Sequence, residues 1–218
     1  MKTPEFPLAQ EGVPFILFSG FVALICSILE YQLAALTGLL VTAFVTWFFR
    51  DPSRILPEED QDALVCPADG KVILVKEVFD ERFLQQDVLK ISIFMNVFNV
   101  HVNRIPQAGS VRRILFKPGK FYAADKDKAE LQNEYCAMIV STFSRQQYAI
   151  VQIAGLLARR IVCWAEPGDE VKAGQRYGLI RFGSRVDLYL PKETEIAVRK
   201  GEKVRAGETV LGWIRKEG

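Results

Sequence analysis

One histidine, His101, serves the whole chain of 218 residues, which rules out a histidine-rich metal centre. Cysteine is nearly as scarce. Cys26, Cys66, Cys136 and Cys163 are scattered and form no Cys-x-x-Cys pair, so they supply neither a zinc site nor the disulfide framework of a small secreted domain. The plainer reading is buried, reduced thiols in a cytosolic setting. There is also no large excess of either charge. The 28 Lys and Arg and 26 Asp and Glu leave a net +2, too little for a nucleic-acid surface, though compatible with an anionic membrane.

Charge is missing altogether from two stretches near the N-terminus. Residues Val13 to Leu29 and Leu33 to Phe49 are uncharged runs of 17 residues each, separated by Glu30, Tyr31 and Gln32. A bilayer span takes roughly 17–25 residues. A signal peptide is a poor fit, because a second apolar run follows in place of a small-residue cleavage site and a polar mature chain. Two readings remain: a helical hairpin inside a soluble core, or a membrane-embedded hairpin, spanning or re-entrant. Neither run has the polar stripe that a globular helix turns to water, which favours the membrane. Arg50 and Arg54 at the hairpin's exit place that side in the cytoplasm, at the cell (inner) membrane, and Trp47, Phe48 and Phe49 suit the interface.

Beyond residue 50 the composition changes. Residues 51–64, with Asp51-Pro52-Ser53-Arg54 and Pro57-Glu58-Glu59-Asp60-Gln61-Asp62, read as a polar linker between a hairpin of residues 1–50 and a domain of residues 65–218. That domain is dominated by strand-like runs: Val72 to Val75, Val88 to Met95, Val111 to Phe116, Cys136 to Phe143, Tyr148 to Ile153, Arg160 to Cys163, Tyr177 to Arg181 and Val186 to Leu190. They are separated by Gly, Pro, Asn and Asp, the pattern of a mainly β, antiparallel domain. The only helices expected there are short, for example around Lys126 to Gln132.

An internal repeat organises the C-terminal part. Gly168-Asp169-Glu170-Val171-Lys172-Ala173-Gly174 returns 33 residues later as Gly201-Glu202-Lys203-Val204-Arg205-Ala206-Gly207. Paired half-motifs of this form resemble the two-half β-sandwich of lipoyl and biotinyl carrier domains. The modification lysine of such carriers is absent from the expected hairpin tip. Gly183-Ser184 stands between the repeats instead, with Lys192 further on.

Gly183-Ser184 is either an ordinary small-residue turn or a self-cleavage site. Glycine leaves its carbonyl unshielded and tolerates strained backbone angles, and the serine oxygen can reach that carbonyl. Asp69, in Pro67-Ala68-Asp69-Gly70, is a routine turn acid or a catalytic one. His101 alternates with Asn99 and Asn103, which would put three polar side chains on one strand face. Gly119-Lys120-Phe121, Asp125-Lys126 and Asn133-Glu134 read as a substrate-facing loop or a solvated one.

Taken in order, Phe48-Phe49-Arg50-Asp51-Pro52 with Arg54 and Pro57, Pro67-Ala68-Asp69-Gly70-Lys71-Val72, Phe98-Asn99-Val100-His101-Val102-Asn103-Arg104, Gly119-Lys120-Phe121, Asn133-Glu134, Ala154-Gly155-Leu156, Ala158-Arg159-Arg160-Ile161 and Phe182-Gly183-Ser184-Arg185-Val186-Asp187 resemble the short form of the phosphatidylserine decarboxylase family. The resemblance implies a proenzyme that cuts itself between Gly183 and Ser184, leaving a chain of residues 1–183 and a small chain of residues 184–218 with a covalent pyruvoyl group made from Ser184. It assigns the cleavage to Asp69, His101 and Ser184, with His101 as general base and Asp69 orienting it. The pyruvoyl ketone would condense with the serine amine of phosphatidylserine and act as an electron sink for loss of carbon dioxide. His101 would return the proton, and Asn103 and Arg104 would contact the carboxylate or phosphate. Longer bacterial members carry a second histidine shortly after the first, where this chain has Arg104. An ether-linked archaetidylserine, a non-catalytic membrane-tethered carrier-like domain, and a soluble pyruvoyl amino-acid decarboxylase stay open as alternatives. So does the oligomeric state, a homo-oligomer included.

Overall fold

Two uncharged runs that meet at a short break can satisfy their backbone only as helices, and they do so as a hairpin. The computed structural model describes residues 7–58, 62–122, 124, 132–156, 160–181 and 184–214. It divides into two units, Lys2–Ser53 and a β unit from Arg54 onward. In the first, α1 (Val13–Ile28) and α2 (Gln32–Phe48) turn back on each other through Glu30, which takes a positive φ. The helical stretch Gln10–Ile28 has a mean hydropathy of 1.9, long and apolar enough to cross a membrane by length and composition. Small residues bring the helices together. A side chain at Gly38 would lie 2.8 Å from Cβ of Ala23, and Thr42 donates a hydrogen bond to Ser19 at 3.0 Å. Leu17, Phe18, Ile28, Leu33 and Leu40 are all exposed, an apolar surface of the kind that meets a membrane or a partner. The hairpin's base is closed by Ala9 N–H to the Phe49 carbonyl and Asp51 N–H to the Pro7 carbonyl.

The β unit contains β1 (Ala63–Val65), β2 (Gly70–Asp80), β3 (Gln86–Met95), β4 (Val102–Arg104), β5 (Gly109–Lys117), β6 (Tyr135–Thr142), β7 (Gln147–Ala154), β8 (Ile161–Cys163), β9 (Glu170–Val171), β10 (Arg176–Ile180), β11 (Ser184–Pro191), β12 (Glu195–Ile196), β13 (Lys203–Val204) and β14 (Val210–Trp213). Among the described residues they form one eight-stranded sheet, β13-β2-β3-β11-β7-β6-β5-β9, and two three-stranded sheets, β1-β14-β12 and β4-β10-β8. Every strand pair is antiparallel, so the expected mainly β architecture with an N-terminal helical hairpin is what the chain adopts. The helix expected around Lys126 to Gln132 lies outside the described residues save for its last member.

The repeat noted in the sequence has a counterpart in space. Its copies carry β9 and β13, the two opposite edges of the large sheet. Gly168 and Gly201 donate their N–H groups to the carbonyls of Val111 and Val72, and Gly174 and Gly207 to those of Ile105 and Cys66. All four glycines hold positive φ, where a β-carbon is strained. Two reciprocal bonds join the halves, Arg104 N–H to the Pro67 carbonyl and Val65 N–H to the Pro106 carbonyl, both 2.9 Å. The partners of the repeat are therefore themselves repeated: Pro67-Ala68-Asp69-Gly70-Lys71-Val72 and Pro106-Gln107-Ala108-Gly109-Ser110-Val111 play matching parts. Around these glycine turns the chain thus repeats the same backbone pairing twice.

One face of the large sheet carries the main core, including Ile91, Ile93, Met95, Ile150, Val186 and Leu188. The other face buries a smaller cluster around Phe83, Val151, Ile153 and Tyr189. Alternation along β11 sends Ser184, Val186 and Leu188 to the first face and Arg185, Asp187 and Tyr189 to the second.

Residues 54–58 are not a free linker. Leu56 lies against Gly174, where a β-carbon would come within 2.4 Å of it, and the Arg54 side chain lies beside Gly207. Ile55 between them is 87% exposed. An extended strap thus sets alternate side chains on the last glycine of each repeat copy. The composition of residues 51–64 suggested a polar linker; the strap docks because glycine turns leave open backbone for Arg54 and Leu56 to cover.

Candidate active site

Ser184 is the first residue of β11, between Met95 of β3 and Ala154 of β7. It is fully buried, and its hydroxyl makes no hydrogen bond among the described residues. Phe182 and Gly183, and so the Gly183–Ser184 bond itself, lie outside the described residues. The strands on either side of that bond do not pair with each other. β10 pairs with β4 and β8, whereas β11 pairs with β3 and β7. The hairpin turn suggested by the local pattern is replaced by a crossing from one sheet to another. Alternation reports which face of a strand is buried and is silent on its partner.

His101 stands just before β4 and is 4% exposed. Its carbonyl accepts the N–H of Ile180, the last residue of β10, four positions before Ser184. The next polar residue on that stretch, Asn103, is fully buried. Its amide donates to Sδ of Met95 at 3.6 Å and accepts from Gln152 Nε2 at 2.9 Å. Met95 is the cross-strand partner of Ser184, and Gln152 lies two residues before the other partner, Ala154. Asn103 thus ties the histidine-bearing segment to both strands flanking the serine. Arg104 turns the other way, giving Nη1 to the Gly174 carbonyl at 3.0 Å.

Asp69 lies at the turn into β2. Gly70 beside it sits so close to β3 that a β-carbon would be 2.3 Å from the Phe94 carbonyl oxygen, one residue from Met95. Asp69 therefore reaches the same end of the sheet as Ser184. Its carboxylate is held by Arg54 Nη2 to Oδ2 and the Ala206 N–H to Oδ1, each at 2.8 Å, rather than by His101. In the other half Ala108 occupies the matching position.

Asn99 is spent on its own turn, accepting the Asn96 N–H. Asn133, by contrast, is 1% exposed and donates from Nδ2 to the carbonyls of Tyr122 and Ala154. It staples the segment after β5 to the partner of Ser184, a role that its setting between loop-forming residues concealed. Gln152 and Arg54 also escaped the sequence reading of the site. Gln152 had a signal, as an amide amid the apolar run of β7.

Arg185 and Asp187 form a second buried group on the opposite face. Arg185 donates to both Asp187 oxygens, at 2.5 and 2.8 Å, and to Ser92 Oγ at 2.9 Å, while Lys90 Nζ lies 3.3 Å from Asp187. Burial pushes the Cys66 thiol and the Tyr148 and Tyr177 phenols above their ordinary ranges. A hydrogen bond from Cys136 makes Cys163 the more acidic of that neighbouring pair. Among the described residues no His, Cys, Asp and Glu cluster could hold a metal.

A buried serine hydroxyl and a clamped carboxylate therefore lie toward one end of the large sheet, and the backbone of His101 is bonded to the strand that leads toward the serine. Comparison with known proteins identifies the family. The family described as phosphatidylserine decarboxylase matches residues 41–212. The chain belongs to the phosphatidylserine decarboxylase family. Relatives named phosphatidylserine decarboxylase proenzyme are 53% identical in Desulfotalea psychrophila, 50% in Syntrophus aciditrophicus and 46% in Geotalea uraniireducens. The first alignment covers 98% of this chain and all of the relative, the other two 97% and 99%. Membership extends along nearly the whole chain, the hairpin included.

Proposed function

We propose that this protein is a phosphatidylserine decarboxylase made as a proenzyme that cuts itself between Gly183 and Ser184. The observation that carries the reading is the Ser184 hydroxyl, fully buried and without a partner among the described residues, at the head of a central strand. Leaving such a group unsatisfied costs about 1–3 kcal/mol, which a reacting position has reason to bear.

In this reading His101 takes the Ser184 proton, and Oγ attacks the Gly183 carbonyl to give an ester by N-to-O acyl shift. β-Elimination breaks the Cβ–Oγ bond and releases Gly183 as a carboxylate. Hydrolysis of the dehydroalanine left behind expels ammonia and yields the pyruvoyl group. Asp69 supports the imidazolium that forms at His101. The small chain of residues 184–218 then begins with β11, which keeps its ladders to β3 and β7 on both sides, so the two chains stay together.

The Ser184 position fits a pyruvoyl group, since its buried hydroxyl has no hydrogen-bond partner among the described residues. When present, the pyruvoyl ketone supplies an electron sink for the pair left as carbon dioxide departs. His101 holds the proton delivered to the carbon that lost its carboxylate. Asn103 sets the position of this segment through Gln152 and Met95. Arg104, turned toward Gly174, and Asn103 are carried as headgroup contacts only on their proximity to His101. The hairpin inserts in the inner membrane with the β unit on the cytoplasmic side, and the substrate is phosphatidylserine in that membrane.

Denaturing electrophoresis with intact-mass analysis of the full chain tests this. Wild type is expected as two fragments divided between Gly183 and Ser184, the small one blocked at its N-terminus, and Ser184→Ala as one uncut chain. Wild type that stays whole refutes the proposal. Carbon dioxide release from diacyl and ether-linked phosphatidylserine analogues then separates the two lipid readings.

A further inference from the structure

The reaction as set out leaves the strap unexplained. Arg54 reaches two acids at once, Asp69 through Nη2 at 2.8 Å and Glu208 through Nη1 at 3.2 Å. The Arg54 and Asp69 side chains are only 9% and 12% exposed, so this is no solvated surface pair. With Ala206 N–H on Oδ1 and Arg54 on Oδ2, the Asp69 carboxylate is fixed at both oxygens and cannot rotate. An ionised carboxylate offers about four lone-pair sites, so two bonds leave it able to accept an imidazole N–H. The two-half construction isolates what is special here. In the other half Ala108 stands where Asp69 does, and the strap covers that half's glycine turn with Leu56 in place of an arginine. The strap's charged contact exists only where the acid exists.

We propose that Arg54 is a positioning residue for self-cleavage, holding Asp69 in the orientation from which it supports His101. The inference rests on the role of Asp69 given under the proposed function. Because Arg54 opens the β unit directly after the hairpin, docking of the strap is a condition of maturation: a chain whose strap is not seated keeps its Gly183–Ser184 bond.

The test follows the rate of splitting of newly made full-length chain in wild type, Arg54→Ala, Arg54→Lys, Glu208→Gln and Asp69→Asn. Loss of orientation at a catalytic group is expected to slow Arg54→Ala roughly 10- to 100-fold. Arg54→Lys should fall between, since an ammonium keeps the charge beside Asp69 but lacks the planar guanidinium that fixes the contact to Oδ2. Low, non-denaturing guanidinium should restore part of the rate in Arg54→Ala and none in Asp69→Asn. Glu208→Gln should split near the wild-type rate. Thermal midpoints on the uncut Ser184→Ala background separate positioning from folding. If Asp69→Asn is blocked while Arg54→Ala splits at the wild-type rate, the proposal fails and the role of Asp69 stands. If Asp69→Asn also splits normally, the assigned role of Asp69 falls and this proposal with it. A slow Arg54→Ala whose midpoint drops, with no recovery from lysine or guanidinium, marks a purely structural arginine and also overturns it.

Discussion

Asp187→Asn is the substitution for which the structure yields the firmest magnitude. Asp187 is fully buried, and Arg185 and Lys90, 3% and 4% exposed at their side chains, both bind it. Asparagine keeps the shape and removes the charge, so two buried cations lose a shared anion. Breaking a buried pair in this way typically costs about 3–5 kcal/mol. Both cations keep further contacts, which places the expected loss near the lower end, about 3 kcal/mol. In a unit of this size each kcal/mol lowers the thermal midpoint by about 2–4 °C, so a drop of roughly 10 °C is expected. The measurement is thermal unfolding of the detergent-solubilised full chain by tryptophan fluorescence, on the Ser184→Ala background so that every sample is uncut. Replacing Lys90, Arg185 and Asp187 together by apolar residues of similar volume should recover much of the loss, because no charge is then stranded. A midpoint within about 2 °C of the reference for Asp187→Asn alone would refute the reasoning, since so small a shift means the cluster is solvated or redundant.

Gly70→Ala and Gly109→Ala place a β-carbon 2.3 Å from the carbonyl oxygens of Phe94 and Ser141 respectively, and each should cost about 1–3 kcal/mol in chemical denaturation. Only Gly70→Ala should also slow self-cleavage, because it moves Asp69; equal processing by the two variants would contradict the placement of the site in one half. The thiols should differ in reactivity, since alkylation requires the thiolate. Cys163, lowered by the hydrogen bond from Cys136, should be modified by iodoacetamide at neutral pH well before Cys66, whose thiol burial keeps protonated through the ordinary range. Peptide mass spectrometry read over time decides it, and faster labelling of Cys66 would count against the burial described.

Local chemistry was legible wherever it depends on neighbours in the chain. The two uncharged runs broken at Glu30 to Gln32 read as a helical hairpin, and strand-like runs bounded by turn residues placed most strands to within a few residues. The repeat at Gly168 and Gly201 was visible because its glycines are required by positive φ. Its counterpart, Pro67-x-x-Gly70-x-Val72 and Pro106-x-x-Gly109-x-Val111, was equally present but went unread, since a few shared residues mean little until their hydrogen bonds are seen to match.

What only the tertiary structure decided is pairing and orientation. The composition of Tyr177 to Arg181 and Val186 to Leu190 marks them as strands, yet the choice of partner strand depends on packing energy summed over distant segments, and it sent these neighbours to different sheets. The same holds for buried charge. Nothing local to Arg54, in a stretch of prolines and acids, marks it as the partner of Asp69, and nothing local to Lys90 marks it as the partner of Asp187. A charge can be buried only where the fold delivers its counter-charge, and that delivery is a property of the folded chain.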